Sequence, residues 1–506
     1  MPASPQPGTA PPRGPWCHAL EGGLAVLAAV AVMAVTAWAG LLALGAGAIA
    51  PLSRLVPTVL SMAFGGAVGL ESAPSAAPAA GGGLLGALGG SGGGLGLSVD
   101  GEVRALPLML TFLGTAVLAT VFFRPLRRRS RPLPALLWAR AGGALSTAAV
   151  LLPVLALLGR GTARLPGSVT ERLGAKAGGA GGAMGGLGGL GAGTGGSGKG
   201  LGGALSSVAF HSDVVSTAFL GVLGVCAVLG IGCVAARRTS LPRPVALSRM
   251  RLKWHPVAST LTGMVAVACF LVLALAVLAG AASLAGREQA ARAAGALLLA
   301  GPGLLAVLLT SGLGASWEAA FRRDQGNGAG MLGMLGGEAR GAGAGKDRSL
   351  AVGDWSGAGA PLWLIGLVLL LVLLVLAGYL IAARTPARSA REEADALLGR
   401  HLELALRTGV AAAGTVLLCC LTARVSLRMG INVMGGEMGA VTAGLDAAVR
   451  MSALTGFVTA TAASYAGSRL HGLRAAHRPQ VPGPPRPGPR RRTMTSESSP
   501  GAGVVS

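Results

Sequence analysis

The chain has 506 residues, of which 52% are hydrophobic and only 12% are charged, and its mean hydropathy is +0.64. So little charge cannot cover a soluble protein of this size, and a disordered chain would be poorer in apolar residues. The net charge of +23 does not indicate a nucleic-acid-binding protein, because the arginines cluster beside apolar blocks and form no stripe on a polar domain. The composition therefore predicts an integral membrane protein.

The apolar blocks predict about eight membrane-spanning helices in an all-α bundle. Each block can cross roughly 30 Å of hydrocarbon, and none shows the in-out alternation of a membrane β-barrel. A Pro-rich segment, 1–20, precedes the first block, which is too long for the core of a cleaved signal peptide and is predicted to be retained. The transmembrane region is predicted to cover 21–478, with spans at 24–48, 106–123, 133–158, 214–236, 257–284, 362–383, 407–423 and 451–466.

Arginine clusters determine the predicted orientation of these spans. Basic residues concentrate between the second and third spans, between the fourth and fifth, and after the sixth and the last. Short cytoplasmic loops carry an excess of Lys and Arg, so these segments and both termini are predicted to lie on the cytoplasmic side of the plasma membrane. The tail, 479–506, is basic and Pro-rich and is predicted to be disordered, with an attraction to anionic lipid.

Four long Gly-rich loops lie on the opposite side in this topology. Each loop carries an aspartate shortly before the returning helix, namely Asp100, Asp213, Asp354 and Asp446. This arrangement predicts a fourfold, hairpin-like repeat of helix, Gly-rich loop and returning helix. An acid in this place can cap the helix that follows it, and it can also belong to a ring of acids that attracts cations. The sequence leaves both roles open.

Residues 296–313 are as apolar as a span but are not counted as one, because a further crossing would place the Arg-rich tail outside. Pro302 has a glycine on each side, which favours a broken helix. The segment is therefore predicted to be re-entrant or interfacial. Re-entrant backbone is stable at membrane depth only where it is buried in protein or lines a watery cavity, so the segment hints at a cavity.

Arg140 is the clearest ionisable residue near membrane depth, one to two turns into the third predicted span. Its side chain can extend to the cytoplasmic interface, or it can face a polar interior of the bundle. Arg140 and the four loop aspartates are therefore the candidate residues of a polar pathway. The sequence shows no clustered His, Asp or Glu at one depth, and it predicts no enzyme, no cofactor and no metal site.

Two segments, SRMRLKWHPVASTLTG and GREQAARAAGALLLAGPGLLAVLLTSGLGASWE, resemble the streptophobe family when taken with the plan of helices and Gly-rich loops. The proteins of this family are very hydrophobic multi-pass proteins of Streptomyces and related actinobacteria. The similarity is strongest between Ser248 and Glu318. It implies an actinobacterial plasma membrane protein, and it supplies neither an activity nor functional residues.

Two classes of function follow from the sequence. The first is a membrane protein that forms a solute or ion pathway, as indicated by the repeated hairpins, the broken apolar segment and the loop acids. The second is a non-transporting scaffold or envelope-associated protein whose loops and basic tail recruit partners or lipid. The lipid bilayer is the one partner that the sequence identifies. The sequence indicates no nucleic-acid partner and does not specify a solute.

Overall fold

The computed structural model describes residues 15–72, 97–128, 134–164, 207–236, 248–283, 286, 288–313, 317–325, 348–351, 362–385, 399–433 and 436–477. The helices are α1 (Pro15–Ala43), α2 (Leu52–Ala63), α3 (Leu108–Arg128), α4 (Pro134–Leu158), α5 (Val214–Ala235), α6 (Arg249–Ser283), α7 (Glu288–Gly312), α8 (Leu362–Arg384), α9 (Arg400–Thr422) and α10 (Val449–Ala476). The strands are β1 (Val68–Ser72), β2 (Leu97–Ala105), β3 (Gly161–Arg164), β4 (Ser207–Ser212), β5 (Trp317–Gln325), β6 (Arg348–Ala351), β7 (Val425–Val433) and β8 (Gly436–Ala447). The predictions for Asp354, for most of the Gly-rich loop residues and for the tail lie outside the described residues.

The all-α bundle predicted from the apolar blocks is confirmed as the body of the protein, and each predicted span overlaps a helix, although the first, 24–48, runs past the end of α1 at Ala43. In the described part of the chain eight helices, α1 and α3 to α9, are long and apolar enough to cross a membrane. This set differs from the predicted one in two helices, since it includes α7 and omits α10. α7 continues through Pro302 without interruption, so the predicted break is absent. α10 has 28 residues but is rich in Ser, Thr and Arg, which lowers its hydropathy.

The segments between the helices form a β-sheet that the sequence analysis did not predict. The eight strands that the structure describes have the order β3-β4-β1-β2-β7-β8-β5-β6, and every pairing among them is antiparallel. Each of the four predicted loops contributes two strands that pair with each other. The pairing provides hydrogen-bond partners for the backbone N–H and C=O groups of these segments. Such groups need a partner in the protein or in water.

The sheet has two unlike faces, because apolar and polar side chains alternate along its strands. Val68, Phe210 and Trp317 lie on the face toward the helices and are buried. Charged and polar side chains on the other face are exposed, among them Glu71, Asp100, Arg104, Ser426, Arg428 and Asp446. The sheet therefore covers one end of the bundle with its apolar side and presents a polar surface on its other side.

The short helix α2 lies between the sheet and the bundle under the first four strands. Val68 and Phe210 pack against residues of this helix and of the turn before it. The hydroxyl of Thr58 donates to the carbonyl of Gly159 at 3.2 Å, and that of Ser61 donates to the hydroxyl of Ser212 at 2.8 Å. Both bonds are buried, and they join α2 to the end of α4 and to β4.

The long helix α7 lies under the strands of the second half of the sheet. The indole N–H of Trp317, in β5, donates to the hydroxyl of Thr310 at 2.9 Å. Three of its glycines lie beside residues of other helices, Gly295 beside Gly40, Gly303 beside Leu108 and Gly312 beside Leu367. These contacts fall near the end of α1 and the starts of α3 and α8, which are the ends that adjoin the sheet.

The main core of the bundle lies among α1, α3, α4 and α5, where Met33, Leu110, Phe122 and Leu152 are almost fully buried. A second group forms where α10 packs between α8 and α9. Many large apolar side chains point outward from the long helices, including Val150, Phe219, Leu278 and Val372. So much exposed apolar surface on a helical bundle is what contact with lipid requires.

Candidate functional site

Arg140, Glu21 and His18 form a cluster of charged and titratable side chains where α1 meets α4, hereafter the ionic cluster. Arg140 has 4% of its surface exposed, and its Nη1 donates to Glu21 Oε2 at 3.3 Å. The Nδ1 atom of His18 lies 3.4 Å from the same carboxylate oxygen. One carboxylate therefore contacts two basic groups inside the bundle.

The adjoining helix α3 supplies two further contacts to Arg140. Its Nη2 donates to the carbonyl of Val121 at 3.2 Å, and its guanidinium carbon lies 5.1 Å from the ring centroid of Phe122. A charged group away from water is costly unless a counter-charge and hydrogen bonds compensate it. The carboxylate, the carbonyl and the aromatic ring provide that compensation for Arg140.

Two glycines allow α1 and α4 to approach closely enough for this pairing. A Cβ atom on Gly22 would overlap the carbonyl of Arg140, and one on Gly143 would overlap the carbonyl of Ala19. Small residues at a crossing let two helix backbones come together, which gains van der Waals contact in an apolar environment. The crossing holds Glu21 opposite Arg140.

Arg140 therefore faces the interior of the bundle and does not extend outward, which is the second of the two placements that the sequence allowed. Glu21 and His18 were not among the predicted candidates. The sequence does contain a sign of their association, because His18 and Glu21 are three residues apart at the start of the first apolar helix and therefore lie on the same face of it. The sequence does not reveal that this face meets α4.

Asp213 lies at the start of α5 and caps it. Its Oδ1 accepts a hydrogen bond from the backbone N–H of Val215 at 3.0 Å. The pKa of this exposed carboxyl lies below its ordinary value, chiefly because the Ser216 hydroxyl donates a hydrogen bond to it. The N–H groups of Val215 and Ser216 lower the pKa further, whereas burial raises it. Asp213 thus satisfies free N–H groups at the helix start, which is one of the two roles predicted for the loop acids.

The structure does not bring the described loop aspartates together. Asp100 lies in β2, in register with Glu71 and Gly430, while Asp446 lies near the end of β8. Strand β7 separates these two acids, and Asp446 lies several residues further along the sheet. Asp446 pairs with the exposed Arg424, whose Nε is 3.4 Å from its Oδ1. No ring of acids forms among Asp100, Asp213 and Asp446, and Asp354 is outside the described residues.

The polar face of the sheet carries several ion pairs that sequence reasoning missed. Arg104 Nε lies 2.5 Å from Glu102 Oε1, and His211 Nδ1 lies 3.9 Å from Glu71 Oε1. The alternation in SVDGEVRA, which places polar side chains at every second position, is the signal that indicates this face. Exposed pairs of this kind contribute little stability, so their use is to keep the surface polar.

A cavity of about 430 Å³ opens between α5 and α6, and it contains none of the predicted candidates. Its lining is mostly apolar, with Gly230, Cys233 and Trp254 among the residues. The Arg251 Nε beside it donates to the carbonyl of Cys233 at 3.0 Å, and a second nitrogen of the same guanidinium donates to that of Ala236. Among the described residues, no group of three or more His, Cys, Asp or Glu side chains is arranged to hold a metal ion.

Comparisons with protein-family models, with curated proteins and with solved structures found no match to this chain. The apolar helices therefore identify the chain as a multi-pass membrane protein, and its molecular function has to be argued from its own geometry.

Proposed function

We propose that this protein is a non-transporting membrane scaffold that holds an amphipathic β-sheet at the surface of the plasma membrane and has no catalytic activity of its own. The observation that supports this proposal is the pair of unlike faces of the sheet. Its buried side packs on α2 and α7, while its other side exposes Glu71, Arg104 and Arg428 to the exterior. A broad polar surface beside a membrane is suited to binding another macromolecule of the envelope.

The arrangement of charged residues favours a scaffold over a pathway. A cation pathway needs acids that converge on one mouth, and Asp100, Asp213 and Asp446 are dispersed over the sheet and a helix start. Two of these acids also have structural partners, a helix N-terminus and Arg424. A dispersed set of paired acids supports a surface role.

The proposed orientation places the sheet outside the cell and the Arg-rich helix ends inside. Basic residues lie beside the ends of α3, α5 and α8 that are remote from the sheet, and the positive-inside rule assigns those ends to the cytoplasm. In this arrangement α10 also crosses, and α7 lies at the outer interface beneath the sheet. The proposal further includes an attraction of the basic tail to anionic lipid, and an actinobacterial membrane as the resemblance to the streptophobe family implies.

A solute or ion pathway is the second candidate, and the ionic cluster is the observation that favours it. Ionisable groups inside a helix bundle often belong to relays for protons or ions. The cluster lies in the first turns of α1 and α4, close to one end of the bundle. A pathway would have to continue from there to the sheet.

Purified protein reconstituted into liposomes distinguishes the two candidates. We expect the wild-type protein to carry no more ion flux than protein-free liposomes. A flux that is present in the wild type and abolished by Asp213→Asn or Asp446→Asn would overturn the scaffold proposal.

A photo-reactive amino acid provides the complementary test in intact cells. Placed at Ser426, on the exposed face of the sheet, it should cross-link a discrete envelope component. Placed at Val410, which is half exposed on the outside of α9, it should cross-link lipid alone. The same products from both positions would contradict a partner-binding face.

A further inference from the structure

The two halves of the sheet repeat one strand order. The first four strands are arranged β3-β4-β1-β2 and the next four β7-β8-β5-β6, so each strand of the first half is matched by the strand four later in the chain. The helices around them follow the same sequence of elements. A long helix, a helix under the sheet, a strand pair, two long helices, a second strand pair and a final long helix occur in each half.

The hydrogen-bond register of the second strand pair of each half, β3–β4 and β7–β8, repeats to the residue. Gly161, three residues after the end of α4, pairs with Phe210, four residues before the start of α5. In the second half Val425, three residues after the end of α9, pairs with Leu445, four residues before the start of α10. Two unrelated loops would have no reason to agree in both spacings.

The inner strands and the helices beneath them repeat in the same way. Val68 pairs with Ser212, and Trp317 pairs with Ala447, and each of these partners lies two residues before the next helix. α2 packs under β1 and α7 under β5. We infer that the chain is a tandem duplication of one unit of about half its length, and that strands β2 and β7 join the two units.

This junction specifies what the outer strands of the sheet are able to bind. Among the strands that the structure describes, those at the two ends of the sheet are β3, the counterpart of β7, and β6, the counterpart of β2. Because β2 and β7 pair with each other, β6 and β3 present matching edges, and an edge strand is a template for a further strand. The surface formed by each of these strands therefore fits the opposite edge of a second copy of this chain.

We propose that copies of this protein associate head to tail, with β6 of one copy paired antiparallel to β3 of the next in the register of the β2–β7 junction. At that junction Glu102 pairs with Arg428. Gly69 of β1 pairs with Glu102 of β2. The counterpart of Gly69 in the second half is Glu318 of β5, which pairs with Ala351 of β6. Ala351 is therefore the counterpart of Glu102. The counterpart of Arg428 is Arg164, which also lies three residues into its strand.

The new contact thus places Ala351 of one copy beside Arg164 of another. Such an interface uses two different surfaces of the chain, so it generates a ring where the rotation closes and an open row where it does not. The inference depends on strand order and register, and it holds or fails independently of the proposed scaffold function.

Disulfide cross-linking in native membranes tests the contact. The six native cysteines are replaced by alanine, and Arg164→Cys and Ala351→Cys are placed on two separately tagged copies of the chain. Copies that carry one cysteine each cannot cross-link within a chain. We expect mild oxidation of the co-expressed pair to give a band at the mass of a dimer that contains both tags, and each variant expressed alone to remain a monomer.

Two control pairs show that the fold and the register are the ones described. Glu102→Cys with Arg428→Cys in one chain should cross-link internally without a change of mass. Arg164→Cys with Arg348→Cys on separate copies should remain uncoupled, because three residues along a strand correspond to about 10 Å.

Three outcomes overturn the proposal when the internal control pair forms. One is a monomer in the co-expressed sample. The second is an internal cross-link in a chain that carries both Arg164→Cys and Ala351→Cys, which would mean that the sheet closes on itself. The third is an equal yield with Arg348→Cys, which would mean that the contact is not in register.

Discussion

Arg140 shows how a single charge is accommodated inside an apolar bundle. The residue is 4% exposed, and a buried charge without a partner is one of the costliest features a fold can carry. The Glu21 carboxylate neutralises it, and α3 adds a carbonyl and an aromatic face. The pair is therefore stable only while both partners are present.

Removal of the carboxylate alone should destabilise the protein strongly. In Glu21→Gln the guanidinium of Arg140 stays buried without its counter-charge, and we expect a loss of about 3 kcal/mol in the free energy of unfolding. Thermal unfolding of the purified protein in lipid nanodiscs measures this change.

Two control variants separate the loss of the charge pair from an effect of substitution itself. Glu21→Met combined with Arg140→Met removes both charges and should recover most of the lost stability. Glu102→Gln, at the exposed pair with Arg104, should change the stability by less than about 1 kcal/mol. A double variant as unstable as Glu21→Gln would show that the buried pair is not the cause.

Asp213 allows a prediction that depends on pH. Its pKa is lowered, so its charged form stabilises the fold at pH values above the ordinary pKa of an aspartate, and the contribution is lost as the pH falls through the lowered pKa. Asp213→Ala should cost about 1 kcal/mol near neutral pH, while Asp213→Asn, which still accepts a hydrogen bond, should cost less. Unfolding followed by circular dichroism across a pH series should show the Ala difference shrink in acid, and a difference that grows would contradict the capping role.

The sequence identified some of these residues and could not identify others. Arg140 and Asp213 stand out because charge is rare beside apolar blocks and acids are common before helices. Glu21 and His18 were not selected, since their importance depends on α1 crossing α4. That crossing is a property of tertiary packing, which the sequence of one helix does not contain.

Among the elements, the crossing of α1 and α4 is the most tightly constrained. Gly143 lies against the backbone of Ala19, whereas a Cβ on the neighbouring Gly142 would have no atom within 4 Å. These two adjacent glycines on one helix therefore form a matched pair for substitution.

Gly143→Ala should separate the two helices and lower the stability by about 1–3 kcal/mol, as overpacked sites commonly do. Gly142→Ala should be neutral, or stabilising by up to about 1 kcal/mol, because alanine favours the helix. Chemical unfolding of both variants, in the same lipid, checks the pair. An equal loss for both would mean that helix propensity, and not the crossing, determines the effect.

The helices were predicted well from the sequence, and the sheet was not. Long apolar runs such as 362–383 determine both the type and the bounds of a span, because lipid requires a closed backbone hydrogen-bond pattern. The strands are embedded in Gly-rich loops, where glycine argues for flexibility and obscures the alternation of β2 and β7. The break predicted at Pro302 was wrong, because neighbouring helices can satisfy the backbone groups that a proline leaves free within α7.

At the scale of the whole molecule, the helix bundle, the sheet and the arginines define two unlike ends. Strand pairs follow or precede the helices at one end, and basic residues flank them at the other. In the proposed orientation this arrangement gives the fold a direction in the membrane and places the exposed acids at its sheet-bearing end. A scaffold needs this surface on the outside, and the positive-inside rule requires the arginines on the inside.

Labelling with a membrane-impermeant maleimide tests this central claim most directly. Single cysteines are placed by Thr162→Cys, on the exposed face of β3, and by His477→Cys, after the last turn of α10, in a chain without its native cysteines. We expect T162C to react in intact cells and H477C to react only after the cells are permeabilised. Labelling of H477C but not of T162C in intact cells would contradict the orientation, and with it the display of the sheet outside the cell.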